Sequence, residues 1–77
     1  MENKEFDLFI EEKLARMQLA DIRKSKMSQK ELSERSGLSI NCISNIESGE
    51  SSPTLRSVMK YVSALGLNIY IKTGEGN

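Results

Sequence analysis

Asn41 and Asn45 stand one helical turn apart in the segment Ser39-Ile40-Asn41-Cys42-Ile43-Ser44-Asn45-Ile46-Glu47, a spacing at which two side chains point the same way. Each amide offers an acceptor beside a donor, the pattern that pairs with adenine N6 and N7 along the major-groove edge of a base pair. Ser44 falls on the same face, and Ile40, at the start of the segment, is placed to meet a thymine methyl. Leu38, Ile43 and Ile46 fall on the opposite face. The polar face carries no lysine and only Glu47 at its end, whereas a face selected for solubility alone usually carries charge. The segment therefore reads as a helix with one side for a core and one side for base edges.

Other chemistry is poorly supplied. The chain has no histidine and a single cysteine, Cys42, so neither an internal disulfide nor a zinc constellation is expected. No glycine loop suited to cradling phosphate and no nucleophile with a base beside it is present, so the expectation is a non-enzyme with no metal and no cofactor. No apolar run is long enough to span a membrane or serve a secretory signal, which predicts a cytoplasmic protein without a membrane partner.

The elements that position the polar face are marked by local signals. Ser28 with Glu31 forms a capping box that opens a helix, and Gly37 closes it after Ser36. In this helix Leu32 and Ser33 are expected inward, and Gln29, Lys30, Glu34 and Arg35 outward. Ser39 is the N-cap of the next helix and Gly49 its terminator. A last helix starts at Pro53 or Thr54, with Leu55, Val58, Met59, Val62 and Leu65 as its core stripe, and Gly66 ends it. Upstream, Phe6, Phe9, Ile10, Leu14 and Met17 recur at helical steps beside a second line of Leu8, Ala15, Leu19 and Ile22. Residues 4–25 are thus helical, as one helix or two, with a wide buried stripe. From Leu67 the period changes to two: Leu67, Ile69 and Ile71 alternate with Asn68, Tyr70 and Lys72, a strand over 67–73. An isolated strand leaves its backbone groups unpaired, so a second copy is expected to supply the partner through Leu67, Ile69, Tyr70 and Ile71, making a homodimer.

Charge is balanced overall but unevenly distributed. Glu2, Glu5, Asp7, Glu11 and Glu12 make the first stretch acidic, and Lys13, Arg16, Arg23, Lys24, Lys26 and Lys30 make the next one basic. Since no basic residue lies between Arg35 and Arg56, phosphate neutralisation would fall to Arg23, Lys24, Lys26, Lys30 and Arg56, with backbone amides at helix starts. Each cation at the end of the first helix has an equally good role against the helix dipole. A dimer would offset the modest affinity of one protomer by reading two half-sites ~34 Å apart.

The pattern Gln29-x-x-Leu32-Ser33-x-x-x-Gly37-Leu38-Ser39-x-x-x-Ile43-Ser44-x-x-Glu47-x-Gly49-x-x-x-Pro53-Thr54-Leu55, followed by Ala64-Leu65-Gly66, resembles the lambda-repressor-like (XRE, Cro/C1-type) helix-turn-helix family. The resemblance implies that Ile40, Asn41, Ser44 and Asn45 face bases, and that Gln29 supports the reading helix and touches the DNA backbone. It implies further that Ser39, Ser51 and Ser52 sit at phosphate-contact positions and that Glu47 pairs with Arg23. Two positions depart from the family: Lys26 stands where a glycine is usual, and Ser33 where alanine is usual. The layout, with an acidic aromatic first helix and a final strand, also resembles antitoxin-type members that bind a protein toxin.

The expectation is a mostly α fold, a four- to five-helix lambda-repressor-like DNA-binding domain over residues 1–73 with one C-terminal strand paired across a homodimer. The helix-turn-helix spans 28–47, an acidic helical extension 4–15, and a tail 74–77. The expected function is a dimeric, sequence-specific transcriptional regulator of the repressor type, which binds double-stranded DNA through Ile40, Asn41, Ser44 and Asn45, with Gln29, Ser39, Lys24, Lys26, Lys30, Ser51 and Ser52 on the backbone. The alternative is an antitoxin that neutralises a toxin partner and represses its own operon.

Overall fold

Three helices of the fold begin on a hydroxyl, as local chemistry dictates. In a computed structural model that describes residues 4–49 and 51–69, with side chains from residue 7 onward, the order is α1 (Lys4–Lys26), α2 (Gln29–Ser36), α3 (Ile40–Ser48) and α4 (Leu55–Ala64). The Ser28 Oγ accepts the Glu31 N–H, Ser39 Oγ the Cys42 N–H and Thr54 Oγ1 the Ser57 N–H, each at 3.1 Å. These bonds satisfy amides that a helix start leaves free. Only half of the expected capping box is made, because the Glu31 carboxylate takes Arg35 Nη2 at 2.8 Å instead. The start of the last helix is settled in favour of Thr54 as its cap.

The turn between α2 and α3 is set by Gly37 at φ +78°, whose N–H returns to the Ser33 carbonyl at 3.0 Å. A side chain is strained in that left-handed conformation, and glycine is not. Ser33 adds a bond across the turn, its Oγ donating to the Leu38 carbonyl at 2.5 Å. That explains a serine on an inward position: the hydroxyl is small enough for close packing and finds an acceptor there.

Residues 4–26 form one unbroken helix. It lies mainly against α3, while α4 lies mainly against α2. The core is Leu32, Leu38, Ile43, Ile46, Tyr61, Val62 and Leu65, with Leu19, Ile22, Met27 and Val58 half-buried around it. Two expected stripes require correction. On α1, Phe9, Ile10, Leu14, Met17, Leu8 and Ala15 are exposed; the residues that α1 buries are Arg16, Ala20 and Arg23. The first half of a 23-residue helix, roughly 34 Å long, extends past the small body that the other helices can offer it. On α4, Leu55 is 70 % exposed and Met59 52 %, whereas Tyr61 is fully buried. The packed face of α4 is Val58, Tyr61, Val62 and Leu65, which turns Leu55 and Met59 outward.

The end of α4 also bears on the expected strand. The Gly66 N–H bonds to Ser63 C=O at 2.9 Å and the Leu67 N–H to Val62 C=O at 3.1 Å, the paired bonds that close a helix. Leu67 packs on the core, and its amide is spent on this cap. The described part of the 67–73 segment, Leu67 to Ile69, is not a strand. Tyr70 and Ile71, with the remainder of that segment and the tail 74–77, lie outside the described residues.

Candidate nucleic-acid interface

The helix α3 is held from behind by one carboxylate. Glu47, in the last turn of α3, receives Arg23 through Nε to Oε2 at 2.8 Å and Nη2 to Oε1 at 2.9 Å, a two-pronged pair in which both side chains are at least nine-tenths buried. Tyr61 Oη donates to Oε2 at 2.5 Å, and Gln29 Nε2 to Oε1 at 3.1 Å. Arg23 Nη1 reaches the Met27 carbonyl at 3.1 Å as well. One carboxylate thereby ties together side chains of α1, α2 and α4. Burial alone would raise the Glu47 pKa, but the bonds from Arg23, Tyr61 and Gln29 together outweigh it and hold the carboxyl below its ordinary range. The same contact raises Arg23, and burial together with Glu47 pushes the Tyr61 phenol well up, so this tyrosine stays a donor.

Periodicity turns Gln29 outward, and the family resemblance has it support α3. It does the second: it is half-buried, with Nε2 on Glu47 and Oε1 accepting the Ser44 hydroxyl at 3.4 Å. Ser44 is accordingly half-buried and turned toward α2, which separates it from the rest of the polar face.

Beyond this scaffold, α3 leaves Asn41 and Asn45 exposed and Ile40 47 % exposed, while Ile43 and Ile46 behind them are fully buried. Ser39, Lys24, Lys26, Lys30, Ser51, Ser52 and Arg56 are exposed too. Arg23 is not available to phosphate, because its guanidinium is committed to Glu47; this removes one cation from the expected set.

The model of the helix-turn-helix family matches residues 19–71, well over half of the chain. The chain belongs to the lambda-repressor-like helix-turn-helix family. No curated protein and no solved structure matches it. Membership in this family of DNA-binding transcription regulators gives α2 and α3 their roles as the paired helices of the motif. No described helix is long and apolar enough to cross a membrane.

A second buried arginine, which the sequence pattern does not single out, stands behind α3. Arg16 is 7 % exposed and uses four of its donors: Nε to the Ile46 carbonyl, Nη2 to the Asn45 and Ser51 carbonyls, all at 2.7 Å, and Nη1 to Glu12 Oε2 at 2.8 Å. Arg16 and Arg23 are two helical turns apart and flank Ala20 on the buried side of α1, so the pair was visible as a spacing. What the spacing hides is the partner, since backbone carbonyls leave no trace in a sequence pattern.

Proposed function

We propose that this protein is a sequence-specific DNA-binding transcriptional regulator, a dimeric repressor that reads the major groove with α3 and acts by binding, not catalysis, in the cytoplasm. The observation that carries the reading is the division of α3: Ile43 and Ile46 are sealed in the core, Glu47 is tied to three other helices, and Ile40, Asn41 and Asn45 are left exposed on a helix without a basic residue. Such a face supplies amides and one apolar group, which suits hydrogen bonding to base edges and offers nothing to phosphate charge. Lys24, Lys26, Lys30, Arg56, Ser39, Ser51 and Ser52 are the exposed groups for the backbone. A second copy would supply the second half-site, about one DNA turn away; Ile69 is 45 % exposed and open to contact with it. The test is selection of bound duplexes from a random DNA pool: an enriched motif with two half-sites is expected, and recovery of unenriched sequence would contradict the reading. Sedimentation at micromolar protein tests the dimer separately, and a monodisperse monomer would count against it.

A second reading, an antitoxin that binds a basic protein toxin and represses its own operon, is favoured by one feature. Leu8, Phe9, Ile10, Leu14 and Met17 are exposed on α1 among Asp7, Glu11 and Glu12, on a stretch that precedes the matched family segment. Large exposed apolar side chains in this number among acidic groups fit a protein partner better than water. Co-expression with the neighbouring encoded protein and joint purification would support it, and separate elution of the two would refute it.

A further inference from the structure

Arg16 precedes the matched family segment, 19–71, and its contacts reach into that segment to end on the element proposed to read DNA. α3 has no basic residue in its own last turn, so its C-terminal carbonyls and dipole lack a local cation. Arg16 supplies one from α1, taking the carbonyls of Asn45 and Ile46 at the end of α3 and that of Ser51 in the following loop. Asn45 is one of the two amides offered to bases, and Ser51 is one of the hydroxyls offered to phosphate. A single planar fork therefore ties the main chain at Asn45 to the main chain at Ser51, while Arg23, two turns further along α1, holds Glu47. The Lys13 side-chain stem lies against Gly49 at the same junction, so a second residue of α1 packs where α3 gives way to the loop.

We propose that the stretch of α1 preceding the matched segment is a positioning part of the DNA-reading unit, acting through Arg16 on the pose of Asn45 and of the loop at Ser51 and Ser52. This rests on the DNA-reading proposal. Lysine at position 16 keeps the charge and much of the stem but has no planar fork, so it cannot hold carbonyls of Asn45, Ile46 and Ser51 together.

Arg16→Lys and Arg16→Gln are compared with wild type on a duplex selected from the random pool by the wild-type protein and on a scrambled duplex, with amide hydrogen exchange followed in the same samples. Val62→Ala, in the core on α4, serves as a variant weakened elsewhere. The expected result is folded variants whose affinity for the selected duplex falls about tenfold or more while that for scrambled DNA changes less than about twofold, with faster exchange confined to residues 45–52. Val62→Ala should keep the wild-type ratio of the two affinities. An unchanged ratio and unchanged exchange in a folded Arg16→Lys protein would overturn the proposal, as would an equal loss of ratio in Val62→Ala. Failure of both position-16 variants to fold would also overturn it, by assigning Arg16 to stability alone. If the wild-type protein enriches no duplex, the DNA-reading proposal fails by itself, and the exchange pattern still decides whether Arg16 orders residues 45–52.

Discussion

The Tyr61 hydroxyl and the Arg23 Nε meet on the same oxygen, Glu47 Oε2, at 2.5 and 2.8 Å, so α4 and α1 share one carboxylate of α3. An exposed ion pair contributes about 0–1 kcal/mol, but removing one member of a buried pair strands the other charge and costs about 3–5 kcal/mol. Glu47→Ala should therefore lower the unfolding free energy by about 3–5 kcal/mol in urea titration, a large part of what a domain of this size possesses. Tyr61→Phe removes only one donor to the charged group and should cost about 1.5–3 kcal/mol. Equal, small effects from both changes would mean that the pair is solvated in solution.

The same carboxylate predicts a pH dependence with a definite sign. The folded pKa of Glu47 lies below its unfolded value, because donors from Arg23, Tyr61 and Gln29 outweigh the burial that acts the other way. A group depressed on folding contributes its stability above the unfolded pKa, about 4.3, and loses it as pH falls through the folded pKa. The urea midpoint should thus decline as pH is lowered below about 5, and Glu47→Gln, less stable at neutral pH, should show a flatter decline over that range. A parallel decline in the two proteins would assign the acid sensitivity to other carboxylates.

The proposed base-reading role separates the amides from the cations. Asn41→Ala and Asn45→Ala should each cost ~1–3 kcal/mol on a selected duplex and little on random DNA, whereas Lys24→Ala should weaken both and reduce the salt slope by about 1. Ser44→Ala should act more weakly than either asparagine change, since its hydroxyl is directed to Gln29 and not outward with Asn41. Equilibrium binding over a salt series measures all four variants, and matching losses on specific and random DNA for the asparagine changes would contradict a base-reading role.

The stretch from Met27 to Leu55 is largely legible because its signals are local: Ser28 and Ser39 cap the helix that follows each, and Gly37 and Gly49 turn the chain within a few residues of where they stand, whereas Ser52 and Thr54 are equally good caps by sequence and the structure uses Thr54. The Arg23–Glu47 pair was legible only through the family pattern, because its members are far apart in sequence and meet through the fold. Two things were not legible. Periodicity reports that α1 has apolar stripes but not how much of its length the other helices can cover, so it points Leu14 and Met17 toward a core that ends near Arg16. Tyr61 on α4 escapes the pattern because its ring and its hydroxyl have separate uses, packing in the core and bonding to Glu47, and only the first follows from hydrophobic spacing.

That difference in faces can itself be measured. Leu14 is 53 % exposed and Leu55 70 %, although both sit at spacings that suit a buried stripe, while Leu32 is fully enclosed. Substitutions at exposed sites away from caps and networks usually change stability by no more than about 0.5 kcal/mol, whereas emptying a buried leucine position costs about 2–5 kcal/mol. Leu14→Gln and Leu55→Gln should therefore leave the urea midpoint of the isolated protein nearly unchanged, and Leu32→Ala should lower it sharply. A core that included the whole of the α1 stripe would instead make Leu14→Gln as damaging as Leu32→Ala, because a buried amide without a partner adds a desolvation cost to the lost packing. A large loss at Leu14 or Leu55 that disappears on dilution would show that the residue is buried between copies, since only an interface loses its contribution with concentration.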